Sequence, residues 1–284
     1  MNSQQKFSKS YSIEFFPPKT EAGIEKLNQT LKSFTELKPA YISVTFGAGG
    51  STQTGTLETV TTINNSGIPS APHLSCIASN KEQLRELLNL YKSRNIKRIV
   101  ALRGDLPSGT QSPGELRYAS ELVEFIRQET GNCFSIEVAA YPEFHPQANT
   151  PSDDLKHFKE KVDAGANSAI TQYFFNPDAY FRFVGDCEKL NIDIPIVPGI
   201  MPITNYKQLA RFSDLCGAEI PRWIRKRLED FGDDIDSIKS FGFDITVDLC
   251  ETLISKGAPG LHFYSMNNVN PTKQIWQSLN LKND

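Results

Sequence analysis

Seven apolar runs of this chain lead into groups that can donate, accept or carry charge, and the first of these groups is an acid, Glu14, in Tyr11-Ser-Ile-Glu-Phe-Phe16. A carboxyl group whose surroundings exclude water keeps its proton towards neutral pH and can give it to a reacting atom. Ile13, Phe15 and Phe16 supply such surroundings along the sequence. A carboxylate paired with an Arg or Lys at a strand end would show the same spacing, so both readings stand. The other six signals are Thr45-Phe-Gly-Ala-Gly-Gly-Ser51, His73, Arg103-Gly-Asp105, Tyr141-Pro-Glu-Phe-His145, Gln172 and Pro198-Gly-Ile-Met-Pro202.

Each has a chemical use and a plainer one. Gly104 lets the chain turn sharply between Arg103 and Asp105, which makes either a local ion pair or a place where Asp105 meets a polar heterocycle or a cationic intermediate. The Gly-rich loop from Gly47 to Thr52 could aim N–H groups at phosphate, yet it lacks the Lys and the spacing of a nucleotide P-loop. A Gly-x-Gly-x-x-Gly dinucleotide fingerprint is also missing. His73 and His145 can donate hydrogen bonds to a cofactor or within the fold, and no further ligands at metal spacing accompany them. Lys156, Lys159 and Lys161 read as solvated helix residues, one of which could reach a phosphate.

The elements that must position these groups alternate. Eight β-rich runs are expected at Tyr11 to Phe16, Ala40 to Thr45, Ser70 to Leu74, Arg98 to Leu102, Ser135 to Ala140, Ser168 to Phe174, Ile194 to Val197 and Gly260 to Tyr264. Amphipathic stretches lie between them, including Ala22 to Leu37, Lys81 to Arg94 with a stripe of Leu84, Leu87, Leu88 and Tyr91, and Leu155 to Ala164. Ile220 to Phe241 adds a helical excursion before the last strand. Eight strand-helix units predict an α/β fold, a parallel (β/α) TIM barrel, whose strand ends bring the polar signals to one face.

Composition bounds the rest. A chain of 284 residues suits one barrel domain over 1–284, and 39% hydrophobic with 22% charged residues is ordinary for a globular enzyme. A net charge of −3 offers no basic face for nucleic acid and favours a small-molecule partner. No apolar run suits a signal peptide or a membrane span, so a cytoplasmic protein without membrane contact is expected. Five cysteines without a close pair read as reduced, mostly apolar-packed thiols rather than a disulfide frame or zinc site.

Taken together, the segments Glu14-Phe-Phe-Pro-Pro18, Val44-Thr-Phe-Gly-Ala48, Ala71-Pro-His73, Ala101-Leu-Arg-Gly-Asp-Leu-Pro107, Ala140-Tyr-Pro-Glu143, Lys161-Val-Asp-Ala-Gly-Ala166, Ile170-Thr-Gln172, Pro198-Gly-Ile200 and His262-Phe-Tyr264 closely resemble the methylenetetrahydrofolate reductase family. The resemblance runs from about Tyr11 to Asn267. It implies a barrel that binds FAD without a Rossmann motif and reduces 5,10-methylenetetrahydrofolate to 5-methyltetrahydrofolate with NAD(P)H by a ping-pong scheme, within one-carbon metabolism and methionine supply. By matching position, Thr45, Phe46, Ala48, His73, Arg103, Gly104, Asp105, Tyr118, Ala119, Tyr141, His145, Ala148, Asp154 and Lys161 would contact FAD. Gln172, Gln208 and Phe212 would line the site shared by folate and nicotinamide. The resemblance makes Glu14 the general acid and puts Asp105 between flavin and pterin. No metal is implied, and association of identical subunits is expected by analogy.

Two positions depart from the family pattern. Met266-Asn267-Asn268 stands where Leu-Asn-Arg is usual, and His157 stands where an Asn is common. Asn268 cannot supply an arginine's charge, which bears on how a folate tail would be held. The additional C-terminal regulatory domain of eukaryotic relatives is not expected, nor is control by S-adenosylmethionine.

Overall fold

In a computed structural model that describes residues 1–46, 53–104 and 114–284, the apolar runs form a parallel sheet. Its strands are β1 (Ser10–Phe15), β2 (Ile42–Val44), β3 (Ser70–Ser75), β4 (Arg98–Leu102), β5 (Ser135–Ala140), β6 (Ser168–Thr171), β7 (Ile196–Val197), β8 (Gly199–Ile200) and β9 (Gly260–Tyr264). The order is β7-β6-β5-β4-β3-β2-β1-β9-β8. The two ends of this order are adjoining pieces of one strand divided at Pro198. β7 pairs with β6 (Ala169 opposite Ile196), and β8 pairs with β9 (Gly199 opposite His262). Nine segments thus fill eight barrel positions and the circle closes. Proline has no N–H to give a ladder, but its carbonyl accepts from the His262 amide at 2.9 Å and keeps the seam joined.

The connecting helices begin where short polar side chains can take up free N–H groups. Thr20 accepts from Gly23 N at the start of α2 (Glu21–Thr35). Asn80 forms a reciprocal cap with Gln83 on α4 (Lys81–Ser93), and Thr150 caps α6 (Pro151–Asp163), whose first residue is proline. Leu84, Leu88 and Tyr91 of α4 are buried as the stripe predicts, while Leu87 is half-buried at its margin. α1 (Asn2–Gln5), α3 (Gln53–Asn65), α5 (Ala119–Thr130), α7 (Pro177–Lys189), α8 (Tyr206–Cys216), α9 (Arg222–Asp230), α10 (Ile235–Ser255) and α11 (Thr272–Ser278) complete the described helices. Among the described residues no helix is long and apolar enough to cross a membrane. All five cysteines are free thiols.

Strand alternation sorts the side chains into two environments. Outward residues such as Ile13, Phe15, Ile42, Val44, Ile99 and Ala101 are wholly buried against the helices in one large apolar layer with Phe34, Leu84 and Leu122. The inward set contains Ser12, Glu14, Ser43, His73, Glu137, Ser168 and His262, with a small apolar group of Tyr41, Ala71, Val100 and Ile170. A separate apolar cluster of Tyr173, Phe175, Ile203, Leu209, Ile224, Leu228 and Ile238 lies under α8, α9 and the start of α10. It shortens one expected strand: the run from Ser168 leaves the sheet at Thr171, because Tyr173 and Phe175 are buried in that cluster. The helical excursion before the last strand is α9 plus the first turns of α10, which then continues as the barrel helix leading to β9.

Candidate active site at the strand ends

Glu14 occupies the carboxyl end of β1, level with Ser43 on β2 and Tyr264 on β9. Its sequence neighbours Ile13 and Phe15 point to the opposite face, so they do not surround the carboxyl group as the linear sequence suggests. Two imidazoles do. His73 Nε2 lies 3.4 Å and His262 Nε2 lies 3.7 Å from Glu14 Oε2. No Arg or Lys forms an ion pair with Glu14 among the described residues. Burial pushes the His73 pKa below its ordinary value; Glu14 opposes that shift and His262 adds to it. A neutral His73 therefore faces the acid, and the 3.4 Å approach is not an ion pair. The aperture beside them is a cavity of about 150 Å³ lined by Glu14, His73, Val100, Leu102, Ala139, Tyr141, Ile170, Gln172 and Tyr264. This is the face where barrel enzymes place their chemistry.

Deeper in the barrel the inward polar residues satisfy one another. Arg98 pairs with Glu137 across β4 and β5, Ser168 donates to the same carboxylate, and the Arg98 guanidinium lies 4.5 Å from the centre of the Tyr41 ring. Tyr41 stacks on His262 with ring centres 6.1 Å apart. His262 Nδ1 lies 2.7 Å from Ser12 Oγ. The Tyr264 hydroxyl donates to Thr171 O at 2.8 Å and ties β9 to β6 across the seam. Burial raises the pKa of both tyrosines, so each keeps its proton for donation.

The other residues singled out in the sequence gather around the same end. Thr45 and Phe46 follow β2 and are half-buried. Thr45 N donates to Phe15 O at 2.9 Å. Thr45 Oγ1 and His73 Nε2 are buried without a hydrogen-bond partner among the described residues. Arg103 crosses from β4 to the loop after β5 and donates to Gln147 Oε1 at 2.5 Å. Gly104 has φ +84°, and a β-carbon there would stand 2.0 Å from Ser75 Oγ, so this turn excludes a side chain. Tyr118, exposed, and Ala119 open α5; the Tyr118 ring lies parallel to that of His157 at 6.3 Å.

The loop after β5 is held to α6. His145 N donates to Asp154 Oδ2 at 2.9 Å, Ala148 N donates to His145 O at 2.9 Å, and the Tyr141 and His145 rings meet edge to face at 4.5 Å. Lys161 turns inward and donates to Ala139 O at 2.6 Å, with burial bringing its pKa down to about 8. That differs from the solvated residue the helix position suggests. Gln172 reaches the cavity, its Oε1 accepting from Tyr173 N at 3.0 Å. Gln208 and Phe212 sit one turn apart on α8: Gln208 is exposed and Phe212 packs at the edge of the second apolar cluster. Ala48 and Asp105 lie outside the described residues.

His262 had no role from sequence beyond its place in a motif, although it touches the acid. The signal was available: Ser12 and Glu14 alternate on β1 as His262 and Tyr264 alternate on β9, so all four share one interior.

Comparison with known proteins identifies the family of the chain. The family described as methylenetetrahydrofolate reductase matches residues 1–280. The chain is 40% identical over 274 residues to the 5,10-methylenetetrahydrofolate reductase of Pectobacterium carotovorum subsp. carotovorum, covering 96% of this chain and 91% of that protein. It is 39% identical over 272 residues to the 5,10-methylenetetrahydrofolate reductase of Escherichia coli K12, covering 95% and 90%. Among solved structures, an uncharacterised Clostridium thermocellum protein that binds two copies of 5-methyl-5,6,7,8-tetrahydrofolic acid superposes with a TM-score of 0.68 at 19% identity, over 98% of this chain and 95% of that one, which supports the fold. With a family match over almost its whole length and relatives of this identity, the chain belongs to the methylenetetrahydrofolate reductase family.

Proposed function

We propose that the chain, as one FAD-binding catalytic domain, reduces 5,10-methylenetetrahydrofolate to 5-methyltetrahydrofolate at the expense of NAD(P)H, with Glu14 as the general acid. The observation that carries this reading is the position of Glu14: at the wall of the cavity on the strand-end face, between two imidazoles and without a cationic partner among the described residues. Family membership supplies the substrate class.

The residues at the mouth fit a flavin on a structural ground. Thr45 Oγ1 and His73 Nε2 are buried polar atoms left without partners among the described residues, and such atoms favour a bound polar group. Thr45, Phe46, His73, Arg103, Gly104, Tyr118, Ala119, Tyr141, His145, Ala148, Asp154 and Lys161 would hold FAD, with Ala48 and Asp105 joining them from outside the described residues. When bound, FAD supplies hydride transfer in both directions, accepting from the nicotinamide and donating to folate.

The chain's own groups do the rest. Glu14 gives its proton to the folate nitrogen from which the methylene bridge opens, so that a neutral amine leaves the bridge carbon and an electrophilic iminium remains. Val100, Leu102 and Ile170 line the cavity beside the acid with apolar surface, and a neutral His73 adds no cation there that would favour the ionised carboxylate. Gln172 offers an amide to the pterin or the nicotinamide, and Gln208 with Phe212 on α8 would flank whichever of the two is present. Asp105 would hold the pterin's developing positive charge.

Purified protein is expected to be yellow and to oxidise NADH or NADPH when methylenetetrahydrofolate is supplied. Flavin-replete protein that turns over with neither nicotinamide would overturn the reading.

A further inference from the structure

On the strand-end face, the segment that carries Glu14 is joined to a lysine on α2 through the loop after β9. Phe16, directly after β1, is clamped by one side chain of that loop: Phe16 N donates to Asn267 Oδ1 at 3.0 Å, and Asn267 Nδ2 donates to Phe16 O at 2.8 Å. Asn267 is buried with φ +54°, a left-handed conformation that asparagine tolerates. The next residue, Asn268, is exposed. Its Nδ2 donates to Met266 O at 3.1 Å, and its Oδ1 accepts from Lys26 Nζ at 2.8 Å. Thr30, one turn after Lys26 on the same face of α2, donates to Asn267 O at 3.4 Å. Helix and loop therefore meet at two successive residues, Asn267 and Asn268. The Lys26 ammonium is exposed, and among the described residues its partner is this neutral amide and no carboxylate.

An ammonium has three protons to donate, and Asn268 takes one. The other two are left for an anion, and the amide does not cancel the charge that would attract it. Folate has its reducible ring at one end and its glutamyl carboxylates at the other, with an aminobenzoyl ring between them. A ring seated beside Glu14 directs those carboxylates outward to the rim. We propose that Lys26, held in place by Asn268, is the anchor for a glutamyl carboxylate of the folate substrate. The positive charge that Asn268 does not carry thus arrives at position 268 from α2. Asn268 is a positioning residue: it orders a flexible lysine before the substrate arrives, which lowers the entropy lost on binding. The inference rests on the assignment of folate reduction to the cavity at Glu14. A nicotinamide cofactor also presents anions, its phosphates, and the experiment separates the two.

Calorimetric titration of the flavin-loaded protein with 5-methyltetrahydrofolate, and with 5-methyltetrahydropteroate, which lacks the glutamate, tests the anchor. Lys26→Met keeps most of the side-chain stem and removes the charge. It is expected to weaken binding of the glutamyl compound about fivefold at low salt, the scale of an exposed ion pair, and to leave the pteroate unchanged. The difference should shrink at high salt. Asn268→Ala is expected to weaken the glutamyl compound about twofold and to add nothing in the Lys26→Met background, since the two act as one unit. A further loss in the double variant would make Asn268 independent of Lys26 and contradict its positioning role. Asn268→Arg in the Lys26→Met background is expected to restore the native affinity. Equal weakening of both compounds, or no weakening of the glutamyl one, overturns the proposal. A rise confined to the KM for NADH or NADPH would assign the ammonium to a phosphate and overturn it as well. Native protein without turnover that still shows the Lys26-dependent difference would remove the proposed reaction and keep the anchor. Turnover without that difference would do the reverse.

Discussion

Glu14 and His73 reach each other from strands separated by β2, with Oε2 and Nε2 3.4 Å apart, and the pair is held without an ionic bond. Burial depresses the imidazole's affinity for a proton by more than the carboxyl group restores it. The sign of its contribution to stability follows. Below about pH 6.5 an unfolded chain takes up a proton on this histidine before the folded one does. Stability contributed by His73 is thus present above that pH and is lost as pH falls from 6.5 towards the lower folded value. Urea unfolding of native protein and His73→Gln should give a stability difference that shifts against native protein between pH 7.5 and 5.5. A difference independent of pH would mean that the imidazole titrates as it does in water.

The ion pair of Arg98 with Glu137 is placed to hold the barrel floor rather than to react. Glu137 is almost fully buried and also accepts from Ser168, so Glu137→Ala would leave a guanidinium and a hydroxyl without their acceptor. A loss of about 3 kcal/mol is expected, at the low end for a broken buried pair because a third of the Arg98 side chain reaches solvent. The double variant Arg98→Met with Glu137→Leu should lose less than Glu137→Ala does. Denaturation midpoints of the two variants check the order.

Closure of the barrel depends on Gly199. A β-carbon there would stand 2.1 Å from Thr171 O and 2.7 Å from Tyr264 Cε2, and Thr171 O is the acceptor of the Tyr264 hydroxyl. Backbone and a buried ring cannot both withdraw without parting β6 from the seam. Gly199→Ala should cost about 3 kcal/mol or more, at the upper end of overpacking effects, read as a lowered denaturation midpoint. A midpoint equal to that of native protein would show that the seam can relax.

The barrel was readable from the sequence because its strands are short β-rich runs with abrupt ends. Arg98–Leu102, Ser135–Ala140 and Gly260–Tyr264 fall on the expected residues. The strand from Ser168 ends earlier than its apolar run, since hydrophobicity alone does not say that Tyr173 and Phe175 serve the cluster beneath α8. Pro198 was visible, but not that the chain on its two sides would pair with different neighbours. For the site, motif positions brought Glu14, His73, Tyr141 and Gln172 to one cavity. The linear sequence does not show the environment of Glu14, because adjacent residues in a strand face opposite ways. Its true neighbours, His73 and His262, are 59 and 248 positions away in the chain. The helix position of Lys161 suggests a solvated residue or one reaching a phosphate, because it does not reveal the carbonyl of Ala139 beneath it.

The central claim is that Glu14 supplies the proton in folate reduction and has no part in accepting hydride from the nicotinamide. Glu14→Gln keeps the shape and a hydrogen-bonding capacity but cannot donate an acidic proton. Anaerobic rapid mixing of this variant with NADH, and of its reduced form with methylenetetrahydrofolate, separates the two steps. The expected result is flavin reduction within a few-fold of native and folate reduction slowed by about 10²–10⁴-fold. Equal slowing of both steps, or folate reduction at the native rate, would contradict the assignment.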